Sequence, residues 1–111
     1  MAEPLRLLIV DDAPEHARMV EEFVRAGDAW PDARIRIAAS YAEALDALTA
    51  HPFDVAFFDY WLGSSNGLTL LREIRQIGIH TPVVVLTSRG AEEVAVEAMK
   101  AGAADYLSRS T

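Results

Sequence analysis

The sequence predicts an α/β fold, a doubly wound, flavodoxin-like parallel sheet of five strands in the order 2-1-3-4-5. Three observations predict it: short β-rich runs alternate with segments of helical periodicity, the longest run is almost wholly apolar, and several runs end in acidic or hydroxyl residues. Alternating strands and helices imply βαβ units, right-handed crossovers and a parallel sheet covered on both faces. The pattern leaves the strand order open, and we adopt one of the two common doubly wound solutions.

The first half of the chain contains two strand–helix units. A β-rich run over residues 5–10 predicts strand one, and Pro14 suits the first turn of a helix that continues to about residue 26. Residues 35–38 predict strand two. Ser40 and Glu43 match a capping box, so we expect them to begin helix two.

The second half contains three strands and two helices. Residues 53–59 form an apolar run that predicts a strand buried on both faces and ends in Asp59. Asn66 begins a third helix, in which Leu70, Leu71, Ile74 and Ile77 recur at helical spacing until Gly78. Strand four is predicted over 83–86, helix four over 91–101 and a short strand five over 106–107. The chain stops at Thr111 without a fifth helix.

Composition limits the class of protein. The chain has 111 residues, 51% of them hydrophobic, so we expect a single domain over residues 1–111 with a real core. A net charge of −7 argues against a nucleic-acid surface, and no apolar run has the roughly 20 residues that a membrane span needs. No cysteine is present, which excludes thiolate metal sites. A cytoplasmic domain without a membrane contact is the expectation.

Three acids are predicted to meet at one edge of the sheet. Strands one and three are neighbours in the adopted order, so Asp11, Asp12 and Asp59 emerge together at their carboxyl ends. Three carboxylates in one small space repel one another unless a cation neutralises them. Oxygen ligands without histidine or cysteine select a hard ion, and a site with few protein ligands suits Mg²⁺ better than Ca²⁺.

Two further strands bring complementary groups to the same edge. Strand four delivers the hydroxyl of Thr87, and strand five delivers the cationic Arg109. Acids, a hydroxyl and a fixed cation around a metal are the components of phosphoryl transfer, and a carboxylate such as Asp59 is an adequate nucleophile. An alternative reading makes Asp59 only a cap for the helix that follows.

Four motifs in order resemble one family. They are Asp11-Asp12 after strand one, Asp59 with Gly67 eight residues on, Thr87-Ser88 after strand four, and Asp105-Tyr106-Leu107 before a basic residue. Together they resemble the response-regulator receiver (CheY-like) domain of two-component phosphorelay systems, over nearly the whole chain.

The resemblance implies a phosphoacceptor. Asp59 would accept a phosphoryl group from the phosphohistidine of a histidine kinase or phosphotransfer protein, with Mg²⁺ held by the acids and the Trp61 backbone carbonyl. Thr87 would bind the phosphoryl oxygen, and its movement would be coupled to Tyr106, which turns inward and remodels the face made by helix four and strand five. Such a domain signals and is no enzyme beyond its own phosphotransfer and dephosphorylation.

The resemblance also implies residues that control access. The small Ser88 would leave space for the phosphoryl group, while Trp61 and Arg89 would flank its approach. Among the departures from the family pattern, Arg109 stands where the family has lysine, and arginine is bulkier with a different reach. This exchange supports an alternative, a phosphorylation-independent pseudo-receiver that acts as a protein-interaction or dimerisation module.

The absent fifth helix carries a second expectation. Ser110 and Thr111 suit the start of a helix, so we expect a domain truncated before its fifth helix and followed by an output domain, or one that acts on a separate target protein. The alternative is a homodimer that covers the apolar face left open.

Two other classes fit less well. A flavin-binding module calls for glycines or hydroxyls at the first turn, where Asp11 and Asp12 would repel phosphate. A phosphatase with an aspartyl nucleophile usually adds a cap domain, for which 111 residues leave no room.

Overall fold

The computed structural model describes residues 3–30, 32–88 and 92–109, with the backbone alone for Ser88 and Arg109. The strands of the main sheet are β1 (Arg6–Val10), β2 (Arg34–Ala38), β3 (Val55–Asp59), β4 (Val83–Ser88) and β5 (Asp105–Arg109). The helices are α1 (Pro14–Ala26), α2 (Tyr41–Ala50), α3 (Gly67–Gln76) and α4 (Glu92–Lys100). Within the described ranges, none of these helices combines the length and apolarity that a bilayer crossing requires.

The five strands form one parallel sheet in the order β2-β1-β3-β4-β5. This confirms the predicted flavodoxin-like order. The carboxyl ends of all five strands therefore lie at one edge, and β1 and β3 are direct neighbours there. A second, two-stranded antiparallel ladder joins Trp61–Leu62 to Ser65–Asn66, and we call it the β3–α3 hairpin.

The two faces of the sheet are covered to different extents. On one face, buried residues of β1, β3 and β4 such as Leu8, Phe58 and Val85 form a core cluster with buried residues of α2, α3 and α4. On the other face, α1 covers Leu7 and Ile9, while Phe57 of β3 is only partly buried. The first face therefore contains most of the apolar burial that stabilises the domain.

Local residue types explain where the helices begin and end. Ser40 accepts a hydrogen bond from the Glu43 N–H at 3.1 Å, and Asn66 accepts one from the Thr69 N–H at 2.9 Å, as the capping signals predicted. Of the apolar repeat predicted for the third helix, Leu70, Leu71 and Ile74 are buried, whereas Ile77 is 54% exposed. The helix ends at Gln76, so the following side chain leaves the buried face.

Candidate metal centre

Three carboxylates converge at the carboxyl end of β1 and β3. Asp11 follows β1, where its N–H donates to the Ala38 carbonyl at 3.1 Å and so continues the ladder with β2. Asp12 comes next, and Asp59 is the last residue of β3. One carboxylate oxygen from each of the three acids lies within 4.8 Å of the others. Neighbouring parallel strands thus place residues far apart in sequence at one point.

Burial makes this cluster electrostatically expensive. The side chains of Asp11 and Asp59 are 1% and 3% exposed, whereas Asp12 is exposed. At such a separation, with an effective dielectric constant of about 20, the two buried carboxylates would repel by roughly 3 kcal/mol if both were ionised, whereas solvent screens the exposed Asp12. Repulsion of this size favours a cation beside the acids. The cluster is therefore a candidate cation site.

Backbone donors fix the orientation of two of these acids. The Ala13 N–H donates to Asp11 Oδ1 at 2.9 Å, which turns the chain from β1 into α1. The Gly63 N–H donates to Asp12 Oδ2 at 3.0 Å. Gly63 has φ +61°, a conformation that favours glycine and that bends the β3–α3 hairpin back towards the acids. Asp12 thereby connects the β1–α1 turn to this hairpin.

A histidine lies beside the cluster without joining it. His16 Nδ1 is 3.9 Å from Asp11 Oδ2, and its side chain is 47% exposed. The three-acid group itself contains no imidazole. The donor set is therefore all oxygen, which suits Mg²⁺ and leaves coordination positions for water or phosphate oxygens.

Gly67 allows the chain to pass close to Asp59. A Cβ at this position would lie 2.6 Å from the Asp59 carbonyl oxygen and 3.2 Å from the Phe58 Cβ. The Gly67 N–H donates to the Tyr60 carbonyl at 2.8 Å, which closes the loop after β3. Any larger residue would push the start of α3 away from the acid.

Thr87 and Tyr106 lie on one face of the sheet. Thr87 is 1% exposed and sits one position beyond Leu86, which pairs with Asp59. Tyr106 of β5 pairs with Val85 of β4, and Thr87 lies two residues after Val85 in β4. Because side chains alternate along a strand, Thr87 and Tyr106 project from the same face. Tyr106 is 38% exposed in this structure.

Four further residues were predicted at the site, and the structure describes the side chain of one of them, Trp61. The backbones of Ser88 and Arg109 pair at the ends of β4 and β5, but their side chains lie outside the described part of the structure. Arg89 lies wholly outside it. Trp61 belongs to the β3–α3 hairpin, is 59% exposed, and packs edge-on against Tyr60 with ring centroids 4.7 Å apart.

Sequence reasoning missed the link between Asp12 and Gly63. The loop after Asp59 forms the short ladder of the hairpin, which was not predicted from the sequence. A glycine at the tip of a short turn is the signal that could have predicted it. Its contact with Asp12 spans 51 residues and was not visible in any local pattern.

Comparison with known sequences places the chain in a defined group. A family model described as the response regulator receiver domain matches residues 7–111. The chain is 36% identical over 104 residues to the response regulator protein PilR of Pseudomonas aeruginosa, covering 94% of this chain. It is 32% identical over 101 residues to the transcriptional regulatory protein ZraR of Escherichia coli, covering 91%. The chain spans 22% of the length of each of these two relatives.

Solved structures show the same architecture. The receiver domain of NtrX from Brucella abortus superposes with a TM-score of 0.83 at 30% identity, covering 95% of this chain and 86% of that one. A response regulator receiver domain protein from Clostridium thermocellum has a TM-score of 0.83 at 28% identity, covering 96% and 83%. The similarity thus extends over almost the whole chain described above.

Proposed function

Because this chain belongs to the response regulator receiver domain family, we propose that Asp59 accepts a phosphoryl group from a phosphohistidine. The donor is a partner histidine kinase or phosphotransfer protein. The observation that carries the proposal is the convergence of Asp59 with Asp11 and Asp12 within 4.8 Å, with two of the acids almost fully buried. A buried carboxylate beside two others fits a reaction site better than a helix cap.

Asp11, Asp12 and Asp59 would hold Mg²⁺, together with the backbone carbonyl of Trp61. When bound, Mg²⁺ supplies positive charge for the oxygens of the transferred group and holds them in line with the acceptor. Asp12 already accepts the Gly63 N–H, so its second oxygen is the one that this role requires. Asp11 accepts the Ala13 N–H through Oδ1, while its Oδ2 lies 3.9 Å from His16 Nδ1.

The transfer itself needs little covalent chemistry from the protein. An Asp59 carboxylate oxygen forms a bond to phosphorus while the bond from phosphorus to the donor imidazole nitrogen breaks, and the imidazole leaves with that electron pair. The Thr87 hydroxyl would donate a hydrogen bond to a phosphoryl oxygen, and the Arg109 guanidinium would neutralise the charge of another. Ser88, Arg89 and Trp61 would border the path of the incoming group.

The output of the reaction is a change on the face formed by α4 and β5. Thr87 and Tyr106 project from the same face of the sheet, so a Thr87 hydroxyl drawn towards a phosphoryl group leaves space beside it. Tyr106, 38% exposed here, would turn into that space. An output domain or a separate target protein in the cytoplasm would distinguish the two states.

Mass spectrometry tests the proposal. The protein is incubated with Mg²⁺ and acetyl phosphate, and intact mass is recorded for the wild type and for Asp59→Asn. We expect one added phosphoryl group on the wild type only. Asp54→Asn is the matched control, because Asp54 precedes the same strand at its opposite end and should leave the adduct unchanged.

A second candidate function is the pseudo-receiver, an interaction or dimerisation module that works without phosphate. The Arg109 exchange and the partly covered α1 face favour it. It would gain support if neither acetyl phosphate nor any histidine kinase produced an adduct on the wild type while Mg²⁺ binding persisted. Light scattering would then decide between a monomer and a dimer.

A further inference from the structure

The outer edge of β2 carries a cluster of arginines far from the acids. Arg34 and Arg36 of β2 and Arg6 of β1 are all exposed, and Arg6 pairs directly with Arg34 in the register of the two strands. The ion pairs found within the described ranges involve none of these three guanidinium groups. The Asp54 carboxylate lies nearby but accepts from the Arg6 backbone N–H. Like charges that face each other across a sheet are destabilising.

Two adjoining cavities follow β2 along its length. One, of about 250 Å³, is lined by Arg6, by residues 34–36 and by the loop over residues 51–53. The other, of about 310 Å³, is lined by residues 36–38 and by α2 residues that include Glu43 and Asp46. Successive strand residues point to opposite faces, so a cavity that touches three in a row borders the edge of the strand as well as one face. The first cavity contains the three arginines, whereas the second also contains two acids, so we call the first cavity and the open edge of β2 beside it the arginine groove.

The backbone hydrogen bonds show which groups face this open edge. The Arg34 N–H donates to the Leu5 carbonyl at 2.7 Å, and the Ala38 carbonyl accepts the Asp11 N–H at 3.1 Å, so these two residues bond inward to β1. Directions alternate along a parallel strand. Ile35 and Ile37 therefore direct their N–H and C=O groups outward, where no strand of the described residues pairs with β2.

From this arrangement, we propose that the arginine groove binds an extended acidic segment of a partner protein as an added strand along β2. The outward backbone of Ile35 and Ile37 would supply main-chain hydrogen bonds. Acidic side chains at alternate positions would meet Arg34 and Arg36, which share a face, and apolar side chains on the opposite face would pack against Ile37, which is 40% exposed.

Charge selects this occupant over a second copy of the chain. Two copies paired through β2 would place Arg34 and Arg36 against each other, and arginines on an edge strand oppose such self-association. An acidic segment instead neutralises all three guanidinium groups. The chain as a whole carries a net charge of −7, so the arginine groove is a basic patch on an acidic protein.

Nuclear magnetic resonance tests the proposal with a capped peptide of alternating valine and glutamate. We expect amide shifts concentrated on residues 34–38 and slowed hydrogen exchange at the Ile35 and Ile37 amides. A matched valine–lysine peptide should cause neither. The double variant Arg34→Glu/Arg36→Glu should weaken binding about tenfold or more, whereas Arg18→Glu, an exposed site on α1, should change it less than about twofold.

Ile37→Pro separates strand addition from simple charge attraction. Proline is tolerated on an edge strand where the lost N–H faces solvent, so the variant keeps its fold, which its own spectrum verifies. It should abolish peptide binding while all arginines remain. The proposal is overturned if this variant binds normally, if inorganic pyrophosphate reproduces the same shifts, or if the valine–glutamate peptide leaves β2 unchanged.

Discussion

The two ends of β1 carry opposite charges in opposite surroundings. At its amino end, Arg6 is exposed and opposes Arg34, whereas just past its carboxyl end Asp11 is 1% exposed and lies in a group of three acids. Repulsion between exposed charges is screened by water and salt, whereas repulsion between buried charges is screened much less. The acidic end therefore couples charge to folding, whereas the arginine groove presents its charge to solvent.

The largest change in stability is expected from a steric clash beside the acids at Gly67. Gly67→Ala should lower the free energy of unfolding by about 3 kcal/mol, because its Cβ would meet the Asp59 carbonyl oxygen at 2.6 Å. Urea unfolding measures the change. Gly27→Ala is the matched control, since its Cβ would meet only the Val24 carbonyl oxygen at 3.6 Å. Equal unfolding midpoints for the two variants would contradict the close approach at Gly67.

Charge removal at the acidic end should act in the opposite direction. Without metal, Asp59→Asn should raise the free energy of unfolding by about 1–2 kcal/mol, since it relieves repulsion from Asp11 and Asp12. Mg²⁺ should stabilise the wild type in a thermal melt and leave the variant nearly unchanged. Asp28→Asn, at an exposed site, controls for net charge. A destabilised Asp59→Asn protein would refute the electrostatic account.

The hydrogen bond between Tyr41 and Glu73 lies away from both ends of β1 and serves as a reference for the two charged regions. Burial, the hydrogen bond to Glu73 and the Glu73 charge together raise the pKa of Tyr41 to about 12. The folded state thus holds this proton more tightly than the unfolded state, whose tyrosine pKa is about 10. The contribution of Tyr41 is complete below pH 10 and falls as pH rises towards 12.

The measurement for Tyr41 is a comparison with Tyr41→Phe. The wild type should be more stable by about 1 kcal/mol at pH 8, and this advantage should shrink in unfolding curves recorded above pH 10. Mg²⁺ binding should be unaffected in both proteins. If the stability difference between the wild type and Tyr41→Phe instead grew with pH, the Tyr41 pKa would not be raised by folding.

The smallest effect is expected at the arginine groove. Arg34→Gln should raise the free energy of unfolding by only a few tenths of a kcal/mol, because it removes the like charge opposite Arg6 at an exposed position. Urea unfolding at low ionic strength measures it, with Arg18→Gln as control. A change as large as that of Asp59→Asn would remove the distinction between the two ends.

Much of the fold followed from local sequence. Ser40 and Asn66 were identified as helix starts because their side chains satisfy free backbone N–H groups one turn away, which depends only on neighbouring residues. The apolar run before Asp59 and the acids after β1 marked strand ends in the same way. The apolar repeat of the third helix extends in the sequence to Ile77, which is exposed, because helical periodicity does not tell where a helix ends.

Tertiary structure decided the contacts between distant parts of the chain. The Gly63 N–H donates to Asp12, and a Cβ at Gly67 would lie 2.6 Å from the Asp59 carbonyl oxygen; both contacts depend on the path of a loop. The pairing of Arg6 with Arg34 depends on strand register. Register is set by packing across the whole sheet rather than by any short stretch of residues. The sequence by itself determined which residues end each strand, and only the folded sheet decided which of those ends meet.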